Sequence, residues 1–284
     1  VFTAHPTEPT RRTILRKEQA IVRHLVAMIN PTMTPQEKNA AQQNIRLLVT
    51  TGWQTDEHHS EKMTVADELE HELFYMTDVL YRTMPPFYED IEAAVRRIYG
   101  KDGEKITIPT IVKFASWVGG VMDGNPNVNA KTIRSTLARQ RALILDLYYN
   151  ECAQLSAKLS QAEDRVDFSD EMMKQLDTYR GVFQNAYHDV PARHRDMPYR
   201  VFLRLIQQRL QSTFDDDLFP YEKVSQFRND IQLIHDSLVQ NRGEHAGLFP
   251  VQRLLRRIDT FGFRLVTLDV RQDALVHREV VGEC

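Results

Sequence analysis

No stretch of this 284-residue chain stays apolar for the roughly 20 residues that a bilayer-spanning helix needs, so no membrane association is expected. Cysteine is nearly absent. Cys152 and Cys284 lie far apart and cannot by themselves build a disulfide framework or a four-ligand zinc site. That usage makes the reducing cytoplasm the default compartment. Neither sign of charge dominates: 36 basic side chains meet 39 acidic ones, for a net charge of −3. The signs are mixed along the chain with no basic stripe, which argues against a dedicated nucleic-acid binder. Repeats and low-complexity segments are missing too. So are a starting Met and a charged-then-apolar leader, and the abrupt opening Val1-Phe2-Thr3-Ala4 reads as a piece of something longer. What is present is a 42% apolar composition, ample for a core, over a length that suits one large domain or two ordinary ones.

Most of the chain reads as helix. Thr34-Pro35-Gln36-Glu37 supplies a cap, a proline at the first helical position and a Glu three residues after the cap. The helix that follows is expected to turn Ile45, Leu47, Leu48 and Val49 toward the core. Leu69, Leu73, Met76 and Leu80 mark a helix over residues 65–84, which Pro85-Pro86 should break or kink. Helix resumes through Ile91, Val95 and Ile98 and stops at Gly100. Further helices are expected over residues 130–159, 171–187, 198–213, 221–240 and 250–260. Asp215-Asp216-Asp217 reads as a solvated loop, and Glu68-Leu69-Glu70 as part of a solvated face. Cys152 reads as a small buried hydrophobe.

Three short stretches depart from this pattern, near residues 1–4, 111–118 and 263–270. Each is rich in β-branched or aromatic residues, ends near polar residues (His5, Asp123, Arg271) and precedes helical sequence. Strand, polar junction, helix is the order of parallel α/β architecture, whose sites lie at the carboxyl ends of the strands. The expected fold class is therefore predominantly α with a few parallel strands. The long helical intervals imply large insertions, and three strands cannot close a barrel.

Each junction has a chemical and a structural reading. At the first, His5 titrates nearest neutral pH, and Pro6 keeps it extended. Thr7 is the expected N-cap, with Arg11 and Arg12 one turn into the next helix, where guanidiniums and backbone N–H groups converge on an anion. The structural reading is a His bonded to a neighbouring carbonyl and two solvated arginines. At the second, Gly119-Gly120 would let the backbone approach a ligand, and Asp123-Gly124-Asn125-Pro126 favours a tight reversal; an ordinary strand-to-helix turn explains the same residues. At the third, Asp269 and Arg271 share one strand face, so Arg271 either pairs with Asp269 or grips an anionic substrate. His58-His59 reads as a polar surface turn, and Arg200 as solvated or bracing the rim.

Together the three junctions resemble the bacterial-type phosphoenolpyruvate carboxylase family. Phe2-Thr3-Ala4-His5-Pro6-Thr7-Glu8 with Arg11-Arg12 resembles that family's histidine signature. Ser116-Trp117 through Gly119-Gly120 and Asp123-Gly124-Asn125-Pro126 resembles its tryptophan–glycine motif, and Leu268-Asp269-Val270-Arg271-Gln272-Asp273 its substrate-arginine strand. Trp53-Gln54-Thr55-Asp56-Glu57 and Pro198-Tyr199-Arg200 also look like family landmarks. Two departures stand out. The family usually has an acidic and then a basic residue where this chain has Val121-Met122, and an Arg and a later Pro around His58-His59.

The resemblance implies that residues 1–284 are an incomplete part of one TIM-like α/β-barrel domain with large helical insertions, trimmed at both ends. It implies that bicarbonate and phosphoenolpyruvate become oxaloacetate and phosphate, feeding the tricarboxylic acid cycle, in a cytoplasmic homotetramer. By resemblance His5 is the essential base, Arg271 a clamp on the substrate phosphate or carboxylate, and Arg11 and Arg12 organisers of the anionic rim. Asp123 would orient an arginine rather than bind metal, and Asp269 would support Arg271. Magnesium or manganese would be held by carboxylates further along the chain, leaving this segment inactive alone. Two other classes stay open: a non-catalytic helical regulatory or interaction module derived from that fold, and an unrelated metal-assisted hydrolase with His5 as base.

Overall fold

The structure, a computed structural model, describes residues 10–57, 64–123 and 127–283. It divides into two compact units, Val1–Tyr75 and Met76–Cys284. In the first, α1 (Arg12–Met28) and α2 (Pro35–Trp53) form an antiparallel hairpin. The start of α1 meets the end of α2. Lys17 Nζ donates to Thr55 Oγ1 at 3.1 Å, and the Arg11 N–H donates to the Glu57 carbonyl at 3.0 Å. The helix α2 begins as its sequence dictates. The Thr34 hydroxyl accepts from the Glu37 N–H at 3.2 Å, and the Glu37 carboxylate accepts from the Thr34 N–H at 2.8 Å. The same device, Thr64 with Asp67, opens α3 (Val65–Phe74).

Three expectations change here. Helix α1 starts at Arg12 with Arg11 as its N-cap, so the two arginines sit at the helix start rather than one turn inside it. Only Ala41 of α2 is buried, and Leu47 and Val49 are more than half exposed. Successive residues rotate by about 100° around a helix, so Leu47, Leu48 and Val49 cannot all face one neighbour. Glu70, read as part of a solvated face, is half-buried and accepts from Arg12 Nη2 at 3.3 Å.

The second unit opens within a π-helical segment, Tyr75–Leu80, followed by α4 (Tyr81–Tyr99). Pro85 and Pro86 do not break α4. Pro85 has no N–H for the Tyr81 carbonyl, and Arg257 Nε donates to that carbonyl instead, at 3.1 Å. Gly100 closes the helix with φ +55°, as expected of a glycine there.

The core of this unit is a helical bundle. Its members are α5 (Ala130–Lys158), α6 (Asp170–Val182), the short α7 (Gln184–His188), α8 (Pro198–Asp215), α9 (Val224–Gln240) and α10 (Leu248–Phe261). Ile144, Tyr148 and Cys152 of α5 are fully buried, as are Phe202 and Ile206 of α8 and Phe227, Ile231 and Ile234 of α9. Cys152 is thus the small buried hydrophobe expected, and burial pushes its thiol up. The helix expected over residues 171–187 is two, α6 and α7, parted at Phe183 (φ −106°, ψ 52°). Arg200 neither braces a rim nor points to solvent alone. Its Nε and Nη2 donate to the Ser156 and Ala157 carbonyls at 2.8 and 2.9 Å, capping the last turn of α5. Asp215-Asp216-Asp217 is exposed, as read.

Inside the bundle lies a polar network. Arg209 of α8 sits between the rings of Phe219 and Tyr221, with centroids 4.2 and 4.0 Å away, and 3.8 Å from the Asp230 carboxylate of α9. Asp230 accepts from the Tyr179 and Tyr221 hydroxyls, each at 2.5 Å, while Arg209 donates to the Tyr179 oxygen.

Two strands complete the unit. β1 (Ala115–Ser116) pairs in parallel with β2 (Thr267–Leu268), Ala115 opposite Thr267 and Ser116 opposite Leu268. Both are shorter than expected. The amides of Ile111 and Val112 donate to the Tyr88 hydroxyl at 2.9 and 3.1 Å rather than to a neighbouring strand. Ahead of β2 the Val266 N–H bonds the Arg264 carbonyl at 2.7 Å, a γ-turn about Leu265 (φ +62°). That turn buries Leu265 and Val266 and interrupts the extended backbone. After β2 comes α11 (Ala274–Glu283). The strand expected over residues 1–4 lies outside the described residues. Among the described residues, no helix is long and apolar enough to cross a membrane.

The network around Asp230 generates a pH-dependent prediction. Burial holds the Asp230 carboxyl above the usual carboxylate range, against the hydrogen bonds and the Arg209 charge that lower it. The fold thus favours the protonated carboxyl, and this contribution fades as pH rises through the folded value. Arg209→Leu leaves an ionised Asp230 buried without its cation and should cost about 3–5 kcal/mol near neutral pH. Denaturant unfolding as a function of pH checks this: the loss should shrink as pH falls and Asp230 takes up a proton.

Candidate functional site

The parallel ladder continues past its two regular rungs. Beyond Ser116 the chain turns, with the Val118 N–H bonded to Ser116 Oγ at 3.0 Å and the Gly120 N–H to the Trp117 carbonyl at 2.9 Å. It then rejoins the other strand. The Arg271 N–H donates to the Gly120 carbonyl at 2.9 Å, and the Met122 N–H donates to the Arg271 carbonyl at 2.8 Å. Val121 is thereby in register with Arg271. Both backbone polar groups of Arg271 are engaged, which satisfies them and fixes where its side chain departs.

The two glycines make this possible. A Cβ on Gly120 would stand 2.3 Å from the Asp269 carbonyl oxygen. A Cβ on Gly119, at φ +79°, would stand 2.3 Å from Thr136 Oγ1 on α5. Their small size serves close approach of chain to chain and chain to helix.

The side chains at this ladder end are Asp123, Asp269 and Arg271, all exposed. Asp269 and Arg271 do not form an ion pair with each other. The Arg271 guanidinium lies 5.4 Å from the centroid of the Trp117 ring, within cation–π range. Arg271 makes no ion pair among the described residues. Trp117, named from the sequence only as part of the tryptophan–glycine stretch, was not read there as a site residue. The signal was there in an indole at the end of one strand and an arginine just past the end of another, but reading it required knowing that the two strands are neighbours.

Of the three junctions, the structure brings the second and third together. The first belongs to the other unit, and of its candidate site residues the structure describes Arg11 and Arg12. Arg12 is engaged by Glu70, while the buried Nε of Arg11 has no hydrogen-bond partner among the described residues. His5 lies outside the described residues, as do His58, His59, Gly124, Asn125 and Pro126.

Two cavities help to locate the site by contrast. One of about 780 Å³ lies among α7, α8 and the turn after α8, lined by Gln184, Arg204, Gln208 and Phe219, and includes none of the site residues read from the sequence. Another, about 450 Å³, opens at the opposite end of the ladder from Arg271, beside Phe114 and Thr267. Among the described residues no three His, Cys, Asp or Glu side chains gather in a way that could hold a metal ion. The described residues therefore do not fit a resident cation.

The model of the phosphoenolpyruvate carboxylase family matches residues 1–284. The chain belongs to that family. It is 46% identical over 283 residues to the phosphoenolpyruvate carboxylase of Xanthomonas oryzae pv. oryzae (strain MAFF 311018), covering 100% of this chain and 31% of that protein. It is 33% identical over 298 residues to the phosphoenolpyruvate carboxylase of Ralstonia nicotianae, covering 29% of that protein, and 31% identical over 295 residues to that of Nitrosomonas europaea, covering 30%. The chain thus spans about a third of the length of the curated relatives it matches. In this member of the phosphoenolpyruvate carboxylase family, the backbone of the arginine in the Leu268-Asp269-Val270-Arg271 stretch is held by Gly120 and Met122, at and just beyond the glycine pair of the tryptophan–glycine stretch.

That dependence is testable. Gly120→Ala should destabilise the protein by about 1–3 kcal/mol through overpacking. It should also selectively speed hydrogen exchange at the Met122 and Arg271 amides, measured by mass spectrometry. Unchanged protection at both amides would contradict the close approach described here.

Proposed function

We propose that this chain is the part of a phosphoenolpyruvate carboxylase that grips the anionic substrate and carries its proton-transfer base. The reaction joins bicarbonate to phosphoenolpyruvate. The phosphoryl group passes to a bicarbonate oxygen, giving carboxyphosphate and the enolate of pyruvate. Carboxyphosphate collapses to carbon dioxide and phosphate, and the enolate carbon attacks carbon dioxide to form oxaloacetate. A substrate bearing a phosphate and a carboxylate on three carbons needs several positive groups, and the developing enolate needs the same field.

One observation carries this reading: Arg271, in a chain matched by the family over its whole length, extends from a doubly bonded backbone and has no carboxylate partner among the described residues. Its charge is free to meet a phosphate or carboxylate oxygen. By resemblance Arg11 and Arg12 are organisers of positive charge for the anionic substrate, and His5 holds or moves the proton of the carboxyphosphate or carboxylation step. Asp123 orients an arginine, and Asp269 supports Arg271 through the strand backbone rather than through an ion pair. The barrel completing this rim has β1 and β2 as two neighbouring parallel strands, and its remaining strands lie elsewhere in the longer protein. Magnesium or manganese is held there as well, by carboxylates outside this segment. The whole protein works as a cytoplasmic homotetramer that feeds the tricarboxylic acid cycle.

Two experiments test the proposal. In the full-length protein, His5→Asn should cut oxaloacetate formation by about two to four orders of magnitude with thermal stability unchanged; near-normal carboxylation would remove His5 from the chemistry. The 284-residue segment purified alone should form no oxaloacetate with magnesium, phosphoenolpyruvate and bicarbonate present. Metal-dependent carboxylation by the segment would contradict the assignment of the metal ligands.

A further inference from the structure

The cavity of about 780 Å³ between α7 and α8 takes no part in the function proposed above. Its volume falls within the range of small-molecule sites. It opens where α6 gives way to α7 at Phe183. Arg204 and Gln208 lie one helical turn apart on α8, and Asn185 and Asp189 stand in the same relation along α7 and its C-cap, so each pair shares one face. All four residues border the cavity. Among the described residues, none of these four side chains has a hydrogen bond or an ion pair. Their neighbours on α8 are engaged: Gln207 donates to the Tyr149 carbonyl at 3.2 Å and Gln211 to the Asp215 carboxylate at 2.7 Å. Arg204 also differs from Arg228, Arg253, Arg256 and Arg257, each of which meets a carboxylate.

The floor is aromatic. The Phe183 and Phe219 rings meet edge to face, with centroids 5.9 Å apart. Arg209 covers one face of the Phe219 ring, which is still 41% exposed and borders the cavity. The Phe219 backbone stands at φ +58°, in the left-handed region that a bulky side chain avoids, and residues held this way gather at ligand clamps. An aromatic floor, two free amides, a free carboxylate and a free guanidinium are four different kinds of recognition. Rings stack on the first, and an amide pairs with the donor–acceptor edge of a base. A carboxylate accepts from a hydroxyl pair, and a guanidinium takes a phosphate. We propose that this cavity is a mononucleotide site: the base on the Phe183–Phe219 floor, Gln208 and Asn185 on its edge, Asp189 on the ribose hydroxyls and Arg204 on the phosphate. One guanidinium facing one carboxylate balances a single phosphate and disfavours a polyphosphate chain. The site is separate from the Arg271 ladder end, and its assignment does not rest on the reaction proposed above.

The test uses full-length protein and equilibrium dialysis with adenosine monophosphate as the probe. One molecule should bind per chain, more tightly than adenosine triphosphate, and saturating phosphoenolpyruvate should not displace it. Arg204→Gln should weaken the monophosphate about tenfold or more while leaving adenosine binding unchanged. Gln208→Leu should weaken both. Because Arg204 is exposed and unbonded, the thermal midpoint of Arg204→Gln should match wild type, which separates lost binding from lost fold. Absence of binding at millimolar monophosphate overturns the proposal, as does equal affinity in wild type and Arg204→Gln. Competitive displacement by phosphoenolpyruvate overturns it too, by placing the probe at the substrate site. Binding that inorganic phosphate abolishes, with no uptake of adenosine, would make this an anion site and overturn the mononucleotide assignment. Oxaloacetate formation enters none of these readouts, so the proposed reaction and this site stand or fall separately.

Discussion

The close approach of two backbones, between Gly120 and Asp269, is the constraint on which the arrangement of this site depends. Two rungs of regular parallel pairing would not hold a side chain in place, since so short a ladder is marginal alone. The chain after β1 turns and comes back to bond both sides of Arg271, and that return works only because nothing projects from Gly120 toward the Asp269 carbonyl or from Gly119 toward Thr136. The turn thus packs on α5 and on the other strand at once. The bundle fixes α5, α5 supports the glycine turn, and the turn fixes the arginine. Tyr148 of α5 adds a second tie, its hydroxyl donating to the Gly262 carbonyl at 2.9 Å just where α10 gives way to the approach to β2.

Much of the helical framework was legible in the sequence, because helix signals are local. The Thr34–Glu37 box, the glycine at residue 100 and the long periodic stretch of α5 act within a few residues of themselves. Three of the misreadings share one physical origin: a distant group took over a local one. Tyr88 captures the amides that would have lengthened β1, Arg257 supplies the bond that Pro85 withholds, and Arg200 spends its guanidinium on the end of α5. None of these partners can be named from spacing. The length of β2 was overestimated for a related reason: Leu265 buys burial by adopting a turn that its β-rich neighbourhood does not announce.

The candidate site was legible in its residue types more than in its contacts. Arg271, Asp269 and Asp123 were picked out by the grammar of strand ends, and two of the three junctions are neighbours. What the residues do to one another was not readable. Of the two readings of Arg271, pairing with Asp269 is absent and an indole face lies beside the guanidinium, while the glycines close a gap between chains. Arg12, read as part of an anion-binding helix end, shares its charge with Glu70, whose carboxylate sits 58 residues further along.

The proline pair in α4 has a consequence for the order in which this molecule comes into being. A helix is ordinarily the most self-sufficient element of a protein, since each carbonyl finds its donor four residues on. In α4 the Tyr81 carbonyl finds its donor 176 residues away, in a side chain that leaves the ribosome long after the helix itself. The nascent α4 is therefore one bond short until α10 has been synthesised and docked. An element that looks local in the finished molecule carries the kinetic burden of a long-range contact.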